Sequence, residues 1–250
     1  MKYVTVFGDS VSKGVILDEK SKRYKFEKGI NWQLLEQKLN IKINNHSKMG
    51  ATITYGYKKL KQYLDQKPLV DTIVLLYGGN DCDYDWKEVA SKKSYQYQPK
   101  TPLKQFKQTL IDMINLIKSK DIKPIVLTLP SIDANKYYQW ISRLNINMDN
   151  IDYFLGDVNH IYRHHELYNI TVLEVANQLQ IDHIDIRKVF LANKQTDLMI
   201  CDDGIHPTMY AEKLIVDHII DQVLSKYQVQ ENSMPKLPAL PISLYQKEYV

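Results

Sequence analysis

The stretch GDS, Gly8 to Ser10, ends an apolar run and carries a hydroxyl that could act as a nucleophile. A serine attacks a carbonyl only when a base removes its proton, and the base itself needs an acid to orient it. The later stretch CDDGIHP offers both groups, because Asp203 lies three residues before His206. On a tight turn the carboxylate can accept from one imidazole nitrogen while the other faces the serine. The spacing therefore predicts Ser10 as nucleophile, His206 as base and Asp203 as orienting acid.

Attack on a carbonyl produces an oxyanion, which is stabilised by hydrogen-bond donors that are already in place. The backbone N–H groups of Ser10 and Gly50 and the side-chain amide of Asn80, in YGGND, can supply three donors. Gly56 competes with Gly50 for this role, but its surroundings predict that it lies inside the following helix.

Three acidic side chains close to these blocks have other predicted roles. Asp202 competes with Asp203 as orienting acid, but the three-residue spacing favours Asp203 and predicts a solvated Asp202. Asp9 and Asp81 are predicted to hold their loops by accepting backbone N–H bonds.

The elements that must position these residues are strands alternating with helices. Short apolar runs rich in β-branched residues predict strands over 3–7, 72–77 and 125–129, with weaker ones over 42–45 and 183–186. Continuous apolar runs are typical of strands covered on both faces, as in a parallel sheet. Helical spacing predicts helices over 31–39, over the stretch that Thr101 can cap and whose first turn suits Pro102, and from the cap Thr208 to 224. Ligands bind at the carboxyl ends of such strands, where the candidate residues lie.

The segment over residues 131–165 is longer than a simple crossover needs and predicts a lid or a substrate wall. Two helical stripes lie between residues 129 and 184. Aromatic side chains near the predicted site could form the wall, and these are Tyr84, Trp86, Tyr137 and Trp140. Three histidines in the second stripe, His160, His164 and His165, are read as one core and two surface residues. The basic stretch over 20–28 is read as a solvated loop.

Four separated blocks resemble the SGNH (GDSL-type) hydrolase family: GDS, a glycine after the second strand, GGND and DGIH. They occur in the family's order and span residues 8–207, although Val11 stands where the family's short name has leucine. The resemblance assigns the family's four functional residues to Ser10, Gly50, Asn80 and His206, with Asp203 as the acid. It implies a serine esterase or lipase-like enzyme on a flavodoxin-like three-layer α/β/α sandwich with a parallel sheet. It also implies that no metal or organic cofactor takes part.

Composition limits the classes that remain. With 44% hydrophobic and 25% charged residues among 250, the chain can bury a substantial core. The formal charge of +4 is too mild to indicate a nucleic-acid partner or a polybasic membrane binder. The two cysteines form no disulfide framework and lack zinc-type spacing. A first strand at residue 2 and the absence of a bilayer-spanning run predict a cytoplasmic protein without stable membrane insertion.

The sequence predicts one hydrolase domain over residues 1–228 and a Pro-rich tail over 229–250, where three prolines forbid a regular helix. The leading hypothesis is hydrolysis of a small or medium acyl ester through an acyl-enzyme, with a carbohydrate O-acetyl group as one candidate substrate. The alternatives are a thioesterase or lysophospholipase-type acyl hydrolase and a non-catalytic ligand-binding module on the same fold. A protein-interaction role for the tail is a further hypothesis. The sequence does not decide the oligomeric state.

Overall fold

A computed structural model describes residues 2–18, 20–26 and 32–233. The strands of this part of the chain are β1 (Lys2–Gly8), β2 (Val15–Asp18), β3 (Arg23–Phe26), β4 (Ile41–Asn45), β5 (Thr72–Leu76), β6 (Lys123–Leu127) and β7 (Asp182–Ile184). The helices are α1 (Ser10–Lys13), α2 (Trp32–Leu39), α3 (Ile53–Leu64), α4 (Trp86–Ser91), α5 (Leu103–Lys118), α6 (Ala134–Ser142), α7 (Met148–Leu155), α8 (His160–Gln178), α9 (Arg187–Leu191) and α10 (Met209–Ser233).

A parallel sheet with the strand order β4-β1-β5-β6-β7 forms the centre of the described chain. Without the separate β2–β3 hairpin this is the flavodoxin-like order 2-1-3-4-5. Helices α3, α5 and α8 pack in one row and α2, α10 and α9 in another, so the sheet lies between two helical layers. Side chains of β1 and β5 such as Val6, Phe7 and Ile73 are almost completely buried. The predicted α/β/α sandwich is confirmed.

The five predicted strands are present, each within two residues of its expected ends. Thr208 caps α10 as expected, because its hydroxyl accepts from the backbone N–H of Ala211 at 3.2 Å. The prediction for Thr101 is wrong. Its backbone N–H bonds to the carbonyl of Asp81 at 3.0 Å, which holds it outside α5, and the helix begins after Pro102 without a side-chain cap.

Two local interpretations of the sequence need correction. The basic stretch over 20–28 is not all loop, since Arg23–Phe26 pairs with Val15–Asp18 as an antiparallel hairpin. Alternation explains this, because Tyr24 is half-buried while the cationic side chains on either side of it are exposed. The segment over 131–165 holds parts of three helices rather than two, because α7 was missed.

Helix α10 continues to Ser233, beyond the predicted domain end at residue 228. Most of the predicted tail, residues 234–250 with its three prolines, lies outside the described residues. No helix within the described ranges has the length and apolar character needed to cross a membrane.

A second hydrophobic cluster, separate from the main core, lies among α4, α6 and α7. Its buried members include Trp86, Ile141, Ile151 and Leu155. The segment over residues 131–165, which we call the wall segment, is therefore held by apolar contacts of its own, and these include contacts with α4, the helix that follows the carboxyl end of β5. This packing fixes aromatic side chains beside the sheet edge where the candidate residues lie.

Glu212, in the first turn of α10, gives a prediction for stability. Its side chain is buried and has no hydrogen-bond partner among the described residues, and burial raises its pKa from 4.5 to about 8. Between pH 4.5 and 8 the unfolded chain loses this proton while the folded chain keeps it, so stability falls as pH rises. We expect Glu212→Gln, which cannot ionise, to be increasingly more stable than the wild type across this window. The limit is about 1.4 kcal/mol for each unit of pKa shift.

Thermal unfolding at several pH values measures the effect. Glu174→Gln, at an exposed helical position, is the control for the change of a glutamate to a glutamine. A difference in melting temperature between Glu212→Gln and wild type that stays constant with pH would contradict the prediction.

Candidate active site

Ser10 is the first residue of α1, directly after β1 ends. Asp9 caps this short helix, with its carboxylate accepting from the backbone N–H of Val11 at 3.0 Å. Gly8 permits the tight passage from strand to helix, since a Cβ there would lie 2.1 Å from the Ser12 hydroxyl and 2.9 Å from the Leu76 carbonyl. The stretch GDS therefore ends the strand and places the serine hydroxyl at the carboxyl edge of the sheet.

Ser10, His206 and Asp203 form a continuous hydrogen-bonded chain. The Ser10 Oγ lies 2.8 Å from Nε2 of His206, and Nδ1 of the same ring lies 2.6 Å from Oδ2 of Asp203. All three side chains are buried. Asp203 and His206 are 193 and 196 positions after Ser10 in the sequence. The fold nevertheless brings the three side chains together in the order serine, histidine, aspartate, which proton transfer from the serine to the histidine requires.

The turn over residues 201–207 positions the histidine. Oδ1 of Asp203 accepts from the backbone N–H groups of Ile205 and His206, at 3.1 and 3.0 Å, while Oδ2 is left for the imidazole. Burial alone would raise the pKa of the Asp203 carboxyl, but the hydrogen bond and charge of His206 and these backbone donors hold it below its ordinary value. Asp203 therefore stays ionised, as an orienting acid must.

Gly204, at the tip of this turn, has a φ of +77° and lies against α6. A Cβ there would come within 2.3 Å of the backbone nitrogen of Tyr137 and 2.6 Å of the Asp133 carbonyl. Because both contacts are backbone, Gly204→Ala has to move α6 or the turn that carries Asp203 and His206. We expect it to cost about 2 kcal/mol or more of stability and to lower activity strongly.

Gly156→Ala is the matched control for this substitution. Gly156 also has a positive φ, +68°, but a Cβ would meet nothing within 4 Å. Gly156→Ala therefore introduces the same kind of backbone strain as Gly204→Ala but no steric clash. Equal losses of melting temperature and of ester hydrolysis in the two variants would contradict the prediction.

The predicted oxyanion donors lie in different surroundings. Asn80 lines the cavity that opens at Ser10, and its side chain is near enough to the Asp9 carboxylate to affect the pKa of that group. Burial raises the pKa of Asp9 to about 6, although the Val11 N–H, His206 and Asn80 act in the opposite direction. The backbone N–H of Ser10 is at the start of α1, where helix amides have no partner within the helix. Gly50 lies in an exposed turn with a φ of +73° and is not among the residues found to line the cavity.

The cavity runs from Ser10 and His206 between the sheet edge and the wall segment. Of the four residues that the sequence proposes as a substrate wall, Tyr84, Trp86 and Tyr137 line this cavity. Trp140, the fourth, is not among the residues that line the described cavity. Its ring lies instead 6.3 Å from that of Tyr24, with the guanidinium of Arg143 4.5 Å above it.

Asp83 fixes two of the wall aromatics. Its Oδ1 accepts from Nε1 of Trp86 at 2.9 Å and from the hydroxyl of Tyr137 at 2.7 Å. The polar edges of these two rings are therefore occupied, and their carbon surfaces are what remains for a ligand.

Sequence reasoning missed Tyr24, on β3, whose ring centroid lies 5.1 Å from that of His206. Burial and the neighbouring Asp203 carboxylate raise the pKa of its hydroxyl well above the ordinary value. The hairpin thus covers the outer side of the Asp203–His206 pair. The only available signal was the alternating RYKF pattern within a basic stretch.

Other candidates have the structural roles that the sequence suggested, with one exception. Asp202 is exposed and pairs with Lys22, and Asp81 accepts from the backbone N–H of Ile53 at the start of α3, at 2.9 Å. The exception is the histidine group: His165 is buried as a core residue, but His160 and His164 are half-buried and line the cavity rather than the outer surface. Within the described chain, no group of three or more His, Cys, Asp and Glu side chains could hold a metal ion.

A parallel α/β sheet with a Ser–His–Asp chain at its carboxyl edge is typical of serine hydrolases. The model of the GDSL-like lipase/acylhydrolase family matches residues 6–214. The chain therefore belongs to this family, and it is a carboxylic ester hydrolase.

Solved structures with the same fold are only distantly similar in sequence. A lipase/acylhydrolase from Enterococcus faecalis is 21% identical, with 90% of this chain and 97% of that chain covered and a TM-score of 0.64. TesA is 18% identical, with coverages of 89% and 98% and a TM-score of 0.59. A variant of Axe2, an acetyl-xylooligosaccharide esterase from Geobacillus Stearmophilus, is 16% identical, with coverages of 89% and 94% and a TM-score of 0.60. The comparison with curated proteins found no match.

Proposed function

We propose that this chain hydrolyses esters of medium-length acyl chains through an acyl-enzyme on Ser10. The observation that carries the proposal is the hydrogen-bonded chain from Ser10 through His206 to Asp203 at the mouth of a largely apolar cavity. The enzyme class follows from the family. The residue roles and the substrate are the proposal.

His206 takes the proton of Ser10 while the Ser10 oxygen forms a bond to the carbonyl carbon, which gives a tetrahedral oxyanion. The carbonyl reforms as the bond to the alcohol oxygen breaks, and His206 gives its proton to the departing alcohol. Water then attacks the acyl-enzyme with His206 again as base, which releases the acid and restores Ser10. Asp203 holds the imidazole in the required tautomer and stabilises its charged form.

The proposed oxyanion site consists of the Ser10 N–H, the Asn80 side chain and the Gly50 N–H. Asn80 is supported by its place in the lining of the cavity that opens at Ser10 and by its nearness to Asp9, the residue before the nucleophile. Support for Gly50 is weaker and consists of the family resemblance and an open turn, where no atom lies within 4 Å of a virtual Cβ. Asn80→Ala therefore tests this site more directly than a change at Gly50.

The cavity lining favours an acyl chain over a sugar ring. Aliphatic side chains from three parts of the fold line it, namely Leu129, Ile132, Leu155 and Ile161. Tyr84 and Trp86 are only 8% and 7% exposed, so they do not form an open platform on which a sugar ring could stack. An acetylated carbohydrate remains the second candidate, because the wall does contain aromatic rings beside the nucleophile.

A panel of substrates tests the proposal. We expect kcat/KM on p-nitrophenyl esters to be highest at medium chain length and lower for acetyl and palmitoyl esters, because a slot of fixed size fits one range of chains. The panel includes acetylated xylo-oligosaccharides and acyl-coenzyme A thioesters. Highest activity on either of these would replace the proposed substrate class.

A folded protein that turns over no substrate, and whose Ser10 does not react with a serine-directed phosphonate, would favour the non-catalytic binding module. Phosphonate labelling of Ser10 together with turnover would exclude that alternative.

A further inference from the structure

The wall of the cavity contains polar groups that the proposed reaction does not use. Three histidines in the first two turns of α8, His160, His164 and His165, line the same cavity as Ser10. We call these three residues and Tyr84 the α8 histidine subsite. Helix α8 packs on β6 and β7, whereas Ser10 follows β1, and β5 lies between β1 and β6. The α8 histidines and Ser10 are therefore positioned by different strands along the same edge of the sheet.

Two features of the subsite indicate a ligand with hydrogen-bonding groups. The Nε2 atom of His164 lies 3.2 Å from the hydroxyl of Tyr84, so the pair is already oriented. His165 is 3% exposed, and its Nδ1 is buried without a hydrogen-bond partner in the described structure. Because Nδ1 of His165 has almost no exposed surface, a ligand reaches it only when a neighbouring side chain moves, and the bond formed would remove the cost of about 1–3 kcal/mol that an unpaired buried polar atom carries.

The subsite is electrically neutral. Burial lowers the pKa of His164 to about 4 and that of His165 to about 3, with smaller effects in the same direction from His160 on the first and from Arg187 on the second. Arg187 is itself paired with Glu166. Of the other charged groups in the cavity wall, Asp83 is paired with Lys100. A neutral imidazole offers one donor and one acceptor, which match the single donor and the acceptor lone pairs of a hydroxyl group.

We propose that the α8 histidine subsite binds a hydroxyl group at the end of the substrate's chain, so that the enzyme selects esters with an apolar stretch between the scissile carbonyl and that hydroxyl. The identification of the scissile end at Ser10 rests on the proposed function. The binding site for the hydroxyl does not, because it depends on the geometry of α8 and Tyr84. Aliphatic side chains line the same cavity as both polar ends, which favours an apolar chain linking them.

Calorimetry on the Ser10→Ala variant, which leaves an ester intact, tests binding separately from turnover. One series compares ethyl esters of unsubstituted and terminally hydroxylated acids from butanoate to dodecanoate. A second compares alkyl acetates with hydroxyalkyl acetates. In one of the two series, and at one chain length, we expect the terminal hydroxyl to lower Kd by about 10-fold. This is the upper end of the range for a neutral hydrogen bond. The series in which this occurs shows whether the acyl or the alcohol part occupies the slot.

The preference is expected to disappear when His164→Phe or His165→Phe is added, because these changes keep a ring and remove its hydrogen-bonding atoms. Tyr84→Phe removes a single oxygen and is the second variant if either histidine change lowers the melting temperature. His183→Phe, at an exposed position on β7, is the matched control and should leave the preference intact.

Two results would overturn the subsite. One is weaker binding of the hydroxylated ester at every length in both series, and the other is a preference that survives both histidine changes and Tyr84→Phe. Wild-type turnover of the unsubstituted ethyl esters tests the proposed reaction independently. Hydroxyl-dependent binding without turnover would refute the reaction and leave the subsite standing.

Discussion

Ser10→Ala is expected to lower kcat/KM for ester hydrolysis by about 10⁵-fold while leaving the fold intact, since removal of a nucleophile from a triad abolishes the covalent route. The physical reason is that His206 then has no hydroxyl at 2.8 Å from which to take a proton. Steady-state rates on p-nitrophenyl butanoate measure the loss, and circular dichroism with thermal unfolding checks the fold.

Ser12→Ala is the matched control for this experiment. Ser12 lies in the same short helix and is completely buried, but its hydroxyl bonds to Ser47 at 2.9 Å rather than to the histidine. We expect its loss to cost about 1 kcal/mol of stability and little activity. If Ser10→Ala and Ser12→Ala had similar rates, Ser10 would be a structural turn residue and the proposed mechanism would fail at its first step.

Asp203→Asn is expected to lower kcat by about 10⁴-fold, because an amide facing Nδ1 favours the wrong imidazole tautomer and cannot stabilise the charged ring. The change is nearly isosteric. The amide oxygen can still accept from the backbone N–H groups of Ile205 and His206, so the turn should keep its shape. The melting temperature is therefore expected to change much less than the rate.

Asp202→Asn provides the matched control one residue earlier. Asp202 is exposed and pairs with Lys22, and surface pairs of this kind contribute about 0–1 kcal/mol. We expect wild-type rates from it. Comparable losses from the two changes, or a larger loss at Asp202, would show that the orienting acid has been assigned to the wrong carboxylate.

The sequence alone was sufficient for the parallel sheet and for the residues gathered at its edge. Continuous apolar runs such as β5 are visible in the sequence because both faces of a central strand must be covered. The Asp203–His206 pair is equally local, since one Asx-type turn over four residues brings the carboxylate to the ring. Short-range geometry of this kind is determined by residue type and spacing.

What the sequence did not reveal depends on contacts between distant segments. The β2–β3 hairpin is only four residues on each strand, and Tyr24 is significant only because the fold places it over His206. Trp140 looked like a wall residue by composition, yet packing turns its ring towards Tyr24 and Arg143. Helix α7 escaped notice for a similar reason, because its buried face consists of few residues and is completed by α4.

The histidines of α8 show most clearly which features can be read from the sequence and which depend on the tertiary structure. Their spacing on a helix could be read from the sequence, and so could the buried state of one of them. That His160 and His164 face a cavity shared with Ser10 follows only from the packing of α8 on β6 and of the wall segment beside it. The sequence thus determined the fold class and indicated the residues proposed for catalysis, because both depend on local pattern and spacing. The tertiary structure decided the shape and polarity of the cavity, because these depend on which distant side chains meet across the edge of the sheet.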